Sequence, residues 1–364
     1  MNLMAKYKDP SLFRYIIKNM SDLSVQPLTF MEFCGTHTQA IFKHSIRKLL
    51  PKNIKMLSGP GCPVCVTDQK EIDHSIALSH LQGVIIATFG DFLKVPGSDG
   101  SNLQKARAQG ADIRVVYSPL DAIQIAQKNK EKKVIFLGIG FETTAPIVAA
   151  SILKAVKENI SNYYVFSMHK LTPPATKAIL NLGEIKLDGI LGPGHVSTII
   201  GSLAWEFLPS IYNMPFAISG FEAIDILKGL ESLLKQCIDK KPQVINTYSR
   251  SVKPEGNTRA INTMFEVFYE DVAHWRGLGA IPNSGLSIKS SYREFDAKHQ
   301  FDIEIPDSKV LYSYGCQCHE VIRGLIEPPE CRYYKNICTP DNPLGACMVS
   351  SEGACSAYYL YSYE

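Results

Sequence analysis

The sequence predicts an α/β protein with two related parallel-sheet domains facing one another across a cleft, followed by a small irregular, partly helical domain. Three observations predict it. Short β-rich runs ending in glycine, each followed by a helical pattern, recur through the first two-thirds of the chain. Strand-end strings recur at matching intervals. After about residue 245 the periodicity fades while cysteines accumulate.

Taken in order, Leu12, Phe13, Tyr15, Ile16, Ile17 and Met20 mark an amphipathic N-terminal helix, with neither the long apolar stretch nor the cleavage site of a signal peptide. Candidate strands follow at Ile54-Leu57, Val84-Thr88, Ile113-Tyr117, Val134-Leu137, Tyr163-Ser167, Gly189-Leu191 and Phe216-Ser219. Helical patterns lie between them at Asp68-Leu81, Pro119-Lys130 and Thr144-Asn159. Gly59-Pro60-Gly61-Cys62 after one strand is echoed by Gly192-Pro193-Gly194-His195 after another. Ala87-Thr88-Phe89-Gly90 and Ile218-Ser219-Gly220-Phe221 follow these turns at similar intervals, and Phe33-Cys34 and Ser167-Met168-His169 precede them. The expected division is a helix in 1–27 packing on the C-terminal domain, α/β domains at 28–130 and 131–245, and the irregular domain at 246–364. The cleft between paired strand-end loops is the default site.

Composition narrows the function. The chain is 45% hydrophobic and 20% charged, enough for sizeable cores without cross-links. Its net charge of +3 is spread without a basic run, which gives nucleic acid no footprint. No apolar run approaches the ~20 residues that span a bilayer. A cytoplasmic protein is expected, in which ten cysteines signify metal or thiol chemistry rather than structural disulfides.

Six of those cysteines, Cys316, Cys318, Cys331, Cys338, Cys347 and Cys355, crowd the C-terminal segment. They lack the paired C-x2-C turns of zinc ribbons. Irregularly spread thiolates, with Pro340, Pro343, Gly345 and Gly353 shaping the loops, suit a [4Fe-4S] cluster. Zinc and unligated thiols remain the other readings. Four ligands would leave two cysteines, which can form a disulfide/dithiol couple beside the cluster.

Near the N-terminus, Cys62-Pro63-Val64-Cys65 follows a Gly-Pro-Gly turn and opens a helical segment, a redox-motif geometry and also half of a zinc site. Cys34 and His37 stand three apart at a strand-to-helix turn and can face one cleft or pack as a core pair. Gly138-Ile139-Gly140-Phe141-Glu142-Thr143-Thr144 resembles an anion-binding turn without a P-loop lysine. Glu142 is either functional or simply a helix N-terminal acid. His195 lines the cleft or the core, and His319 beside Cys318 is open in the same way. Cys237, in a polar helical stretch, reads as incidental.

Together the strings Glu32-Phe33-Cys34-Gly35-Thr36-His37-Thr38, Gly59 to Cys65, Thr88-Phe89-Gly90-Asp91, Gly140 to Pro146, Gly192-Pro193-Gly194-His195-Val196-Ser197 and Gly345 to Cys355 resemble the hydrogenase maturation factor HypD family over nearly the full chain. The resemblance implies a scaffold for assembling the Fe(CN)2CO unit of [NiFe]-hydrogenase, with a HypC-type protein sharing the iron and a HypE-type protein donating cyanide. It implies that Cys34 is the main iron ligand. It also implies a [4Fe-4S] cluster on Cys316, Cys331, Cys338 and Cys355, Cys318 and Cys347 as the remaining redox pair, and Cys62 and Cys65 completing a thiol relay. His37 and Glu142 are the candidates for handling protons or hydrogen bonding to cyanide, with His195 beside them. Two readings from other classes remain: an iron–sulfur-dependent thiol–disulfide reductase and a structural zinc protein.

Overall fold

The computed structural model describes residues 9–24, 26–303, 305 and 315–362. Its strands are β1 (Leu28–Glu32), β2 (Ile54–Ser58), β3 (Val84–Thr88), β4 (Asp112–Val115), β5 (Lys133–Gly138), β6 (Tyr163–Ser167), β7 (Gly189–Pro193), β8 (Phe216–Ser219), β9 (Val244–Asn246), β10 (Phe268–Trp275) and β11 (Gly279–Ile288). They form a five-stranded parallel sheet in the order β2-β1-β7-β8-β9, a four-stranded parallel sheet in the order β4-β3-β5-β6, and a two-stranded antiparallel ribbon of β10 and β11. The predicted α/β class with two parallel sheets is the observed one.

The sequence explains why these segments become inner strands. Val84-Ile85-Ile86-Ala87-Thr88 is buried throughout, as are Val134 to Gly138 and Gly189 to Pro193. Continuous apolar runs of this kind suit parallel strands covered on both faces. The connecting helices carry their own start signals. Asp68 and Glu71 close a capping box on the helix Gln69–Ser79, and Ser118 and Asp121 do so on Pro119–Lys128, where proline fills the first turn.

The domains do not divide at residue 130. β1 pairs with β2 on one side, Leu28 beside Ile54, and with β7 on the other, Phe30 beside Gly189. The four-stranded sheet is therefore inserted between β2 and β7. Hydrophobic periodicity marks where strands are, but not which distant strand completes a parallel pair. For the same reason both Gly-Pro-Gly turns belong to one sheet, at the ends of β2 and β7, instead of marking one domain each.

Two further expectations are corrected. Of the N-terminal segment, residues 1–8 and 25 lie outside the described ones. The helix Pro10–Leu23 packs against the helix Ala223–Asp239, not on the C-terminal domain: Ile16 and Met20 join a core with Phe30, Leu230, Leu233 and Leu234. Residues 258–295 are not part of an irregular domain either. Met264, Val267, Phe268, Leu286 and Phe295 share a core with Val134, Phe136, Val148 and Ile152 of the four-stranded unit. The stretch rich in Gly, Trp and Arg is the β10–β11 ribbon, with Trp275 Nε1 donating to Ser284 Oγ at 2.9 Å. The expectation of irregular, partly helical structure fits the described residues 315–362, which contain only short helices. Among the described residues no helix is long and apolar enough to cross a membrane.

Candidate thiol site

In an open parallel sheet, ligands gather outside the carboxyl ends of the strands where the order reverses. In the five-stranded sheet that point lies between β1 and β7. The chain leaves β1 toward β2 and leaves β7 toward β8, in opposite directions. Cys34 follows β1 there as the N-cap of the helix Gly35–Lys43, and His195 follows β7 in the helix Gly194–Ile200.

Cys34 is held by its backbone. Its N–H donates to Glu32 Oε2 at 2.8 Å, and the next N–H, that of Gly35, donates to Gly61 O at 2.8 Å. Thr38 Oγ1 donates to the other oxygen of Glu32. Gly61 presses so closely that a Cβ there would stand 2.3–2.5 Å from the N, C and Cα of Cys34. The Gly-Pro-Gly turn after β2 is thus fitted against Cys34 and carries Cys62 and Cys65 beside it. These two are joined as a disulfide, with their Cα atoms 5.2 Å apart. Of the readings open to this C-x-x-C turn, a redox motif or half of a zinc site, the disulfide matches the first in chemistry; a short Pro63–Val66 helix brings the two sulfurs together.

Burial sets the electrostatics. The Cys34 thiol is pushed up to about 12, first by burial and then by the nearby Glu352 and Glu32 charges. A helix start favours a thiolate, but here desolvation wins. Glu32, 1% exposed, is pushed up to about 7 by burial, against the opposing pull of its hydrogen bonds. His37 is fully buried and lowered to about 4 by desolvation. Its Nε2 lies 2.9 Å from Gly220 O and 3.2 Å from Ser219 O. Carbonyls only accept, so the proton sits on Nε2 and Nδ1 is a bare acceptor. That nitrogen is buried without a hydrogen-bond partner among the described residues. Phe221 links the two predicted histidines, its ring centroid 4.8 Å from His37 and 3.8 Å from His195.

The C-terminal cysteines come to the same place. The helix Ala346–Val349, which holds Cys347, packs on the helix Pro63–Val66, with Cys65 Sγ 3.9 Å from Ala346 O. The helix Ala354–Tyr361 packs on Gly35–Lys43. Between them, Glu352 Oε1 accepts from Thr36 Oγ1 at 2.6 Å and Ser350 Oγ donates to Asp91 Oδ2 at 3.2 Å.

Within the module Cys318 is the preferred thiolate, lowered first by hydrogen bonding from Cys316 and then from Cys347, whose own thiols are raised in return. Cys338 is pushed up to about 11 by burial, although Leu344 N–H donates to its sulfur at 3.4 Å. The charge of Cys355 is close enough to raise both Cys316 and Cys338. Cys331 is buried. Among the described residues no three or more His, Cys, Asp or Glu side chains form a group that could hold a metal ion. A bridging cluster, by contrast, places iron and sulfide between its thiolates. Buried cysteines on glycine-shaped loops, one of them receiving an N–H at sulfur, fit such a group in donor chemistry. Gly345 leaves the space for Cys316 Sγ, which a Cβ would meet at 2.6 Å.

Glu142 is not brought to this site by any contact among the described residues. Its Oε1 accepts from Thr172 N–H at 2.7 Å and Thr172 Oγ1 at 3.1 Å, at the carboxyl ends of β5 and β6. Cys237 donates to Asp188 O at 3.2 Å, away from the other thiols. His319 lines a cavity of about 610 Å³ beside Ser167, Lys170 and Trp275, which none of the expected site residues lines. Reading for cysteines and histidines missed Glu32, Phe221 and Glu352. Glu32 had a signal, as an acid placed two residues before Cys34 at a strand end. Nothing in the spacing ties Glu352 to Thr36.

The HypD family model, described as the hydrogenase formation hypA family, matches residues 11–362. The chain is 44% identical to hydrogenase maturation factor HypD2 of Bradyrhizobium diazoefficiens over 343 residues, covering 92% of this chain and 90% of that one. It is 45% identical to hydrogenase maturation factor HypD of Azotobacter vinelandii over 337 residues, covering 91% and 88%. A putative hydrogenase expression/formation protein of Methanocaldococcus jannaschii is 40% identical over 360 residues, covering 98% and 99%. Matched over nearly its whole length by the family model and by relatives at 40–45% identity, the chain belongs to the HypD family.

Proposed function

We propose that this protein is the scaffold on which the Fe(CN)2CO unit of [NiFe]-hydrogenase is assembled, in the cytoplasm. Family membership gives the coarser part, a role in hydrogenase maturation alongside other maturation proteins. In the finer reading, Cys34 is the main ligand to the iron being built. A HypC-type protein shares that iron, and a HypE-type protein supplies the cyanide. One observation carries this reading: Cys34, the Cys62–Cys65 turn and the segment bearing Cys347 meet at the sheet's switch point.

The chemistry follows from the groups present. Low-spin Fe(II) carrying cyanide and CO favours soft thiolate ligation. With Cys34 raised to about 12 and His37 lowered to about 4, no thiolate–imidazolium pair forms between them. Cys34 gives up its proton when a metal takes its place. His37 Nδ1 serves as an acceptor, so it orients a protonated ligand atom rather than donating to cyanide nitrogen.

Cys316, Cys331, Cys338 and Cys355 are the residues that would hold a [4Fe-4S] cluster, which supplies single electrons when bound. Cys318 and Cys347 form the dithiol. Attack of the Cys318 thiolate on the Cys62–Cys65 disulfide, with Cys347 resolving the mixed disulfide, joins Cys318 to Cys347 and frees Cys62 and Cys65. The electron pair moves, and the Cys347 proton passes to one of the released sulfurs.

The Cys62–Cys65 disulfide also favours a second reading, a cluster-dependent thiol–disulfide reductase. Infrared spectra of anaerobically purified protein with its HypC-type partner separate the two. The scaffold shows CN and CO stretches. Turnover of a disulfide substrate without bound diatomics would replace it with the reductase.

A further inference from the structure

The turn between β10 and β11 buries a positive charge, the guanidinium of Arg276. The residue is 7% exposed, and its Nη1 donates to Gln69 Oε1 at 3.1 Å. Its Nε and Nη2 are buried without a hydrogen-bond partner, and no ion pair reaches it among the described residues. Gln69 donates onward to Asp73 Oδ1 at 3.3 Å, so the acid in this chain of bonds is one side chain removed. Arginine keeps its proton at any ordinary pH. Burying such a charge without a counter-charge is costly, and something must offset it.

The neighbouring segments carry sulfur. Arg276 N–H donates to Val66 O at 2.9 Å, one residue beyond Cys65, and Trp275 forms an antiparallel bridge with Thr67. Gly277, at φ +79°, lies against the residue after Cys318: a Cβ there would stand 2.9 Å from both the Cβ and the carbonyl oxygen of His319. The helices Cys318–Ile322 and Ala346–Val349 both pack on Pro63–Val66. The charge of Arg276 is also felt at Cys318, whose thiol it lowers. The guanidinium is thus fixed where the segments bearing the Cys62–Cys65 disulfide and Cys318 meet. We propose that Arg276 is a positioning residue for thiol exchange, the fixed counter-charge for the sulfur anion formed when the Cys62–Cys65 bond breaks. This role rests on the exchange described above. Two electrons pass from the Cys318 and Cys347 sulfurs, which become bonded to each other, into the Cys62–Cys65 bond. The single proton of Cys347 goes to one released sulfur and the other stays anionic, while Arg276 gains and loses nothing.

The test uses full-length protein purified anaerobically and equilibrated in dithiothreitol redox buffers at neutral pH. Differential alkylation and peptide mass mapping read the Cys62–Cys65 pair by itself. Dithiothreitol supplies the two electrons and becomes its cyclic disulfide. Arg276→Met should make the pair about tenfold harder to reduce, a midpoint about 30 mV lower for a two-electron couple. Arg276→Lys retains the charge and should keep the parent midpoint. Gln69→Met removes the hydrogen bond to Nη1 but not the charge, and should keep it too. Where Arg276→Met does not fold, Arg276→Gln reads the same loss of charge. An unchanged midpoint in the neutral variant, a Lys variant as low as the neutral one, or an equal shift in Gln69→Met overturns the role of Arg276 and leaves the pair redox-active. A parent pair that stays oxidised in every buffer overturns the redox reading of Cys62 and Cys65, and the role of Arg276 with it.

Discussion

Thr36 and Glu352, 316 positions apart in the chain, are joined by a 2.6 Å hydrogen bond. The bond ties the helix begun by Cys34 to the loop between Cys347 and Cys355. It sits under close packing, since a Cβ on Gly35 would meet the Glu352 Cβ at 2.5 Å. Glu352→Ala removes the acceptor and leaves a part-buried hydroxyl unpaired. The expected cost is about 1–3 kcal/mol in urea unfolding. Glu352→Gln keeps an acceptor and should recover most of it. Equal losses in both variants would mean that the carboxylate charge, not the hydrogen bond, matters.

Gly61 offers a sharper test of how the early thiols are assembled. Its missing Cβ is what lets the Gly-Pro-Gly turn lie on the backbone of Cys34, and backbone atoms cannot rotate aside. Gly61→Ala should cost about 1–3 kcal/mol or more through overpacking. Gly90→Ala is the control, because its nearest neighbour, Val115 Cγ1, is an ordinary 3.7 Å away. If both substitutions shift the urea midpoint alike, close approach at Gly61 is not the reason for that glycine.

Cys34→Ala tests the separation of iron site from cluster. In the proposed reading, the variant purified anaerobically with its HypC-type partner loses all CN and CO infrared bands, while its visible cluster absorbance stays unchanged. Loss of that absorbance together with the bands would argue against two separate sites.

The early strands and the chemistry-bearing loops were legible in the sequence because each is a local signal. Val84-Ile85-Ile86-Ala87-Thr88 announces a covered strand, and Gly59-Pro60-Gly61-Cys62 announces a tight turn with a thiol beyond it. Pairing was not legible. Phe30 beside Gly189 spans an entire inserted sheet, and neither segment carries information about the other. The same limit hid Glu352, whose partner Thr36 lies at the far end of the chain. It also left Glu142 open between a functional residue and a helix N-terminal acid, since its partner Thr172 lies 30 residues on. His195 lies near His37, with Phe221 between them, because β7 is the neighbour of β1.

Glu32 provides the pH test. Burial raises its carboxyl from 4.5 to about 7. The sign follows from proton counting. Between those values the folded protein keeps a proton that the unfolded chain releases, so this group's contribution is fully present below pH 4.5 and is lost as pH rises through about 7. Buried histidines act the other way: His37, lowered from 6.5 to about 4, favours folding as pH rises across that interval. The two tendencies mask each other in the parent protein, so the difference between parent and variant is the informative quantity. Glu32→Gln is isosteric; its amide oxygen can still accept from Cys34 N–H while its amine donates to Thr38 Oγ1. Without a titrating group, the variant should gain on the parent by roughly 3 kcal/mol between pH 4 and pH 8, from a shift of about 2.5 units at roughly 1.4 kcal/mol per unit. Urea unfolding of both proteins across that range measures it. A difference that stays flat with pH would mean that Glu32 is ionised in the folded state, held so by Thr38 and the Cys34 amide against its burial.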